Sequence, residues 1–160
     1  MCLKRDYMMC VIRKFFLVTL SIGLFSSFTT SDKQLNKIKK ALQKTLAVES
    51  VVLRPAGAQM YEIWSGESKR GKVYLRTLTP KMESFDYFVA FDTKGAIIQL
   101  QILDYSSQYG TQITHPKWSK RFAGKKPKEL IIGTNVDAIS GATLSVKALV
   151  NDLNKLESSR

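Results

Sequence analysis

Past residue 10 the sequence has no cysteine, and across its 160 residues it has one histidine, His115. Cys2 and Cys10 stand at the very start, so a domain built from the rest has neither disulfides nor thiolate metal ligands. One imidazole is too few for a metal site built on histidine. Catalysis by a Cys–His pair or a Ser–His–Asp triad could draw only on His115, and nothing beside it in sequence assists, so no catalytic residue and no metal ligand is assigned. Acidic residues are scarce too: 13 Asp+Glu face 25 Lys+Arg, a formal net charge of +12. No apolar run reaches the roughly 20 residues that span a bilayer. Internal repeats and low-complexity tracts are missing, and the length leaves room for one domain.

What is present begins with an export pattern. Lys4, Arg5, Arg13 and Lys14 precede the 14-residue apolar run Phe15–Phe28, and Ser26, Ser27, Thr29, Thr30 and Ser31 supply small polar residues around its end. This is the layout of a secretory signal peptide over residues 1–31, with a retained N-terminal anchor as the alternative because no strong Ala-x-Ala site follows. The expected location is therefore the periplasm or the outer face of the cytoplasmic membrane. From Asp32 on, 21 Lys+Arg and 12 Asp+Glu leave a net charge of +9. That charge favours acidic partners or an anionic membrane surface. No nucleic-acid motif accompanies it, and nucleic acid is not an expected partner.

The hydrophobic fraction of 44% is typical of a globular chain, which residues 32–160 are expected to form. Leu35, Ile38, Leu42 and Leu46 recur at spacings of three and four, which predicts a helix over Asp32 to Val48 capped by Asp32. Pro55 and Gly57 break the pattern. Strands are expected at 59–64 and 72–78, joined by the polar turn 65–71, with Trp64 in the core. Phe85 to Phe91 and Ala96 to Leu103 flank Asp92-Thr93-Lys94-Gly95 and read as a hairpin. Residues 104–129 are irregular, and Glu129 to Ile132 reads as a short strand. Val146, Leu149, Val150, Leu153 and Leu156 share one face of a helix from about 143 to 157. The fold class is α+β: a small antiparallel sheet flanked by an N-terminal and a C-terminal helix.

Chemistry concentrates at Asp137-Ala138-Ile139-Ser140-Gly141-Ala142-Thr143, where that last helix begins. Ser140 or Thr143 can cap the helix, and its unpaired N–H groups favour an anion. Gly141 and Ala142 keep side-chain bulk away, so a phosphate could approach the backbone. The Thr143 hydroxyl would then lie beside a phosphate-sized hole, a good place for a phosphoester and a poor one for a nucleophile with no base nearby.

The segment resembles the flavinylation motif Asp-x-x-Ser/Thr-Gly-Ala-Thr of FMN-binding domain proteins. That family includes flavin-carrying components of the sodium-translocating NADH:quinone oxidoreductase and of the related Rnf complex. The likeness continues through the Asp92–Gly95 turn, the loop Ser106–Gly110, and Trp118 ahead of Phe122-Ala123-Gly124-Lys125. It covers roughly residues 85–157; its one departure is Ser106-Ser107-Gln108-Tyr109, where the family's loop often has a glutamate. The resemblance implies FMN esterified through its phosphate to Thr143 by a separate, magnesium-requiring flavin transferase that uses FAD. It implies cofactor-binding roles for Thr143, Ala142, Gly141, Ser140, Asp137 and Gly110, with Tyr109 and Trp118 as candidates to pack on the isoalloxazine. Asp137 is expected to serve structure and transferase recognition rather than to act as a base.

Lys117, Lys120, Arg121, Lys125, Lys126 and Lys128 could neutralise the phosphate or dock an acidic redox partner, with a solvated basic loop as the plainer reading for most of them. His115 is read as a loop residue. The expected function is an exported flavoprotein that carries electrons between membrane-associated redox partners of the envelope. The alternatives are a flavin-dependent reductase of a small extracytoplasmic acceptor and a non-redox envelope binding module.

Overall fold

The computed structural model describes residues 32–81 and 83–158, and the expected signal peptide or anchor lies outside them. Among the described residues no helix is long and apolar enough to cross a membrane. The elements run α1 (Asp32–Leu46), β1 (Val52–Gly57), β2 (Met60–Ser65), β3 (Ser68–Leu78), β4 (Phe85–Asp92), β5 (Ile97–Tyr105), the short helix α2 (Pro116–Ser119), and α3 (Thr143–Ser158). The strands pair in sequence order as one five-stranded antiparallel meander. The α+β expectation, one helix before the sheet and one after it, is what the chain forms.

The two long helices, α1 and α3, each cover one face of the sheet. Strand β4 is buried on both sides: Phe85, Tyr87, Val89 and Phe91 point to one face, Phe88 and Ala90 to the other. On the first face they meet Val146, Leu149, Val150, Leu153 and Leu156 of α3. On the second, Ile63, Val73 and Leu75 join them beneath Ile38 and Leu42 of α1. Two apolar stripes at helical spacing thus bury two faces of a period-2 sheet, and α3 is fixed in position by the larger core.

Four local expectations need correction. Val52–Gly57 is a strand, although Pro55 and Gly57 read as breakers. It is the sheet's edge, where a proline's missing N–H costs no ladder bond, and a register shift between Pro55 and Gly57 absorbs the irregularity. The long turn at 65–71 is a tight one, with Gly66 at φ 59, and β3 begins at the charged Ser68-Lys69-Arg70. Glu129 to Ile132 is not a strand: Pro127–Glu129 forms a 3-10 turn, and Ile132 makes only an isolated bridge to Val136. Trp64 lies half-buried near the edge rather than in the core, with the Arg54 guanidinium 4.4 Å from its ring centroid and its indole N–H donated to Glu62. The hairpin at Asp92 forms as expected: the Asp92 carboxylate accepts from the N–H groups of Lys94 and Ala96.

Candidate functional site

The irregular stretch after β5 is a brace beneath the motif. Gly124 N–H donates to Ile97 O and Ile97 N–H donates to Lys125 O, so the Phe-x-Gly-Lys segment closes the outer edge of β5. Phe122 is fully buried, and Trp118 packs on it edge-on at 4.9 Å between ring centroids. Trp118 is 6% exposed, and its indole N–H donates to the backbone oxygen of Asp137. The indole thus supports the motif's first residue from below. The Asp137 carboxylate accepts from Arg121 at 2.5 Å, both side chains being about half exposed. His115 is a loop residue, its ring nitrogen Nδ1 accepting from the N–H of Lys117.

From Asp137 the chain turns at Ser140-Gly141, with Gly141 at φ 81, and enters α3. Ala142, not Ser140 or Thr143, occupies the capping position: its N–H goes to Ile139 O, and its own oxygen accepts from Val146 N–H as the first helical bond. This corrects the capping expectation, because neither hydroxyl accepts from the first turn. Ser140 is exposed, and Thr143 Oγ1 instead donates back to Ile139 O over a long 3.4 Å. Consequently the N–H groups of Thr143, Leu144 and Ser145 have no acceptor among the described residues. Three unbonded donors at the positive end of a 16-residue helix favour negative charge beside them.

A second loop presses against the first. A Cβ added to Gly110, at φ 66, would lie 2.4 Å from Ala142 Cβ and 2.6 Å from Ala142 N. Tyr109 Cβ comes within 3.2 Å of the corresponding point on Gly141. Residues far apart in sequence, Tyr109-Gly110 and Gly141-Ala142, therefore share one backbone-to-backbone contact that only glycine allows. Gly110→Ala is expected to lower stability by about 1–3 kcal/mol through overpacking and backbone strain, readable as a shifted urea midpoint with unchanged slope.

Above this contact an open cleft of about 400 Å³ is lined by Gly141, Ala142, Thr143, Leu144 and Ser145 on one side and by Pro80, Lys81 and Glu83 on the other. Its surroundings include exposed apolar surface: Tyr109 is 74% and Leu144 45% accessible. Of the residues singled out in the sequence, Thr143, Ala142, Gly141, Gly110 and Tyr109 come together here. Ser140 and Asp137 lead into the site, and Trp118 lies under it.

The position of α3 rests on a polar network that no local pattern announced. Asp152, 6% exposed, accepts from Arg76 Nε at 3.0 Å and Nη2 at 2.8 Å, and from the Tyr87 hydroxyl at 2.6 Å. Burial pushes the Asp152 carboxyl up, but the hydrogen bonds from Arg76 and Tyr87 outweigh it and hold its pKa below the usual value. Burial and the bond to the carboxylate push the Tyr87 hydroxyl up, so it stays protonated as donor. Nearer the cleft, the Ser145 and Tyr105 hydroxyls lie 3.3 Å apart, linking the first turn of α3 to the end of β5.

Residues 83–156 match the family model of the FMN-binding domain. No curated protein matches the chain.

Proposed function

Taking as premise that this chain is an FMN-binding domain protein, and so a flavoprotein, we propose that it holds its FMN as a phosphoester of Thr143 and serves as an exported electron carrier of the cell envelope. The observation that carries the attachment is the juxtaposition at the start of α3. Among the described residues, a hydroxyl held only by a 3.4 Å bond stands beside three N–H groups without acceptors, in an open cleft. The residues present fit the group: the donors suit a phosphate, and Gly110 and Gly141 leave its approach clear.

In this reading each residue has a task. Thr143 Oγ1 provides the ester oxygen, and the N–H groups of Thr143, Leu144 and Ser145 hold the phosphate oxygens. Tyr109 and Leu144 offer apolar surface to a flat ring system. Trp118 and Arg121 hold Asp137, and with it the shape of the segment a flavin transferase has to recognise. Bound flavin supplies one- or two-electron redox chemistry, and the protein supplies position and environment.

The carrier role is supported by the openness of the site. A small-molecule enzyme generally encloses most of its ligand, whereas this cleft is a surface groove. Lys117, Lys120, Lys126 and Lys128 are exposed in the loops that brace the motif, giving an acidic redox partner a basic face to dock on. Export is supported by the basic start and apolar run of residues 1–31 and by the value of a covalent bond where free flavin is dilute.

The test combines location with redox behaviour. In a bacterium producing the chain together with a flavin transferase, protease added to spheroplasts is expected to digest the fluorescent protein. The purified flavoprotein is expected to reduce and reoxidise reversibly without turning over small acceptors. A protease-protected cytoplasmic pool, or rapid turnover of a small acceptor, would contradict the carrier reading.

A further inference from the structure

The cleft has a wall that lies outside the family match. Pro80 and Lys81 belong to the connection between β3 and β4, before residue 83. This wall is tied to the motif through a chain of short contacts. Ser84 N–H donates to Ser106 Oγ at 3.0 Å, Ser106 Oγ donates to Ser84 O at 2.7 Å, and Ser106 N–H donates to the same oxygen at 3.2 Å. Ser106 opens the loop that ends at Gly110, and Gly110 abuts Gly141 and Ala142. The β3–β4 connection, the glycine loop and the start of α3 are therefore held as one unit around the cleft.

Lys81 itself has two unusual features. Its φ is 61, a left-handed conformation that a lysine adopts at a cost and that is more common where the surrounding structure has a use for it. Its ammonium has no carboxylate within 4 Å among the described residues, even though Glu83 lines the same cleft. Lys81, outside any ion pair among the described residues, thus lines one wall of the cleft, and Thr143 with the three unbonded N–H groups lines the other.

Resting on the proposed flavin at Thr143, we infer that Lys81 is the counter-charge for the FMN phosphate: a binding residue supplied by the part of the chain that precedes the family match. Lys81 recognises the phosphate rather than the ring. The N-terminal half of the domain then contributes to the cofactor site as well as to the sheet.

The distinction between phosphate and ring gives the experiment. Protein produced without a flavin transferase is titrated with free FMN and, separately, with riboflavin, following flavin fluorescence and the amide resonances of residues 141–145. The wild type is expected to prefer FMN. Lys81→Met is expected to weaken FMN about tenfold while leaving riboflavin unchanged, and Lys81→Arg to retain most of the preference. Unchanged FMN affinity in Lys81→Met would overturn the inference, as would an equal loss for both ligands, which would mark a displaced loop. A wild type that does not prefer FMN to riboflavin would remove the phosphate site and the inference with it. If the wild type does prefer FMN and Lys81→Met does too, only the role of Lys81 fails.

Discussion

Thr143→Ala is expected to leave no flavin on the protein after denaturation, while the fold survives. Among the described residues, the hydroxyl's one hydrogen bond is the 3.4 Å contact to Ile139 O. A bond of that length contributes well under about 1 kcal/mol, so removing it should barely shift the melting temperature. The side chain is exposed at the first turn of α3, where alanine is a good helix former. Loss of in-gel fluorescence from a normally folded variant would then report the missing ester oxygen and nothing else. Thr143→Ser keeps a hydroxyl at the same point and is expected to retain flavin at a lower yield. Fluorescence that persisted through denaturation in Thr143→Ala would locate the bond elsewhere.

The largest stability effect is expected at Asp152. Asp152→Ala would strand the Tyr87 hydroxyl, which lies in the core, and leave the Arg76 guanidinium without its carboxylate. Breaking a buried pair from one side costs about 3–5 kcal/mol, and the partial exposure of Arg76 places this case toward the lower end. For a domain of this size that corresponds to a fall in Tm of about 11–15 °C. The pH dependence has a definite direction. Because the carboxyl's folded-state pKa lies below its ordinary value, its contribution is present above the ordinary aspartate range and is lost as pH falls through the folded value. Asp152→Asn is therefore expected to flatten the acid limb of stability against pH. An acid limb as steep as that of the wild type would show that other carboxylates carry it.

The parts of this molecule that could be read in its sequence are those whose signals are local. The stripe on α3, the stripe on α1 and the Asp92–Gly95 hairpin are each written within a short stretch of chain, as is the motif from Asp137 to Thr143. Strand β1 was obscured because Pro55 and Gly57 have the same appearance in an edge strand as in a loop; only the pairing with β2 distinguishes them. Trp64 went astray for a related reason: an indole looks like core material until an edge position supplies Arg54 and Glu62 as partners. The capping expectation failed because Ser140 and Thr143 are suitable residue types whose register relative to the first helical bond is set by the Gly141 turn.

What the sequence hid is non-local. Asp152 meets partners 76 and 65 residues away, so no spacing rule links them. The second wall of the cleft is linked to the start of α3 through Ser84, Ser106 and Gly110, whose contacts exist once the meander is folded. Family likeness pointed to Gly110 and Trp118, yet their physical tasks differ. Gly110 gives up a side chain so that two backbones can touch, and Trp118 holds the backbone of Asp137.

The ester at Thr143 is the central claim, and intact mass tests it most directly. Protein co-produced with an active flavin transferase is weighed after denaturation, and the modified peptide is then sequenced. The expected result is a gain of one FMN less one water, placed on Thr143. An unmodified chain, from cells in which the same transferase modifies a control protein, would contradict it.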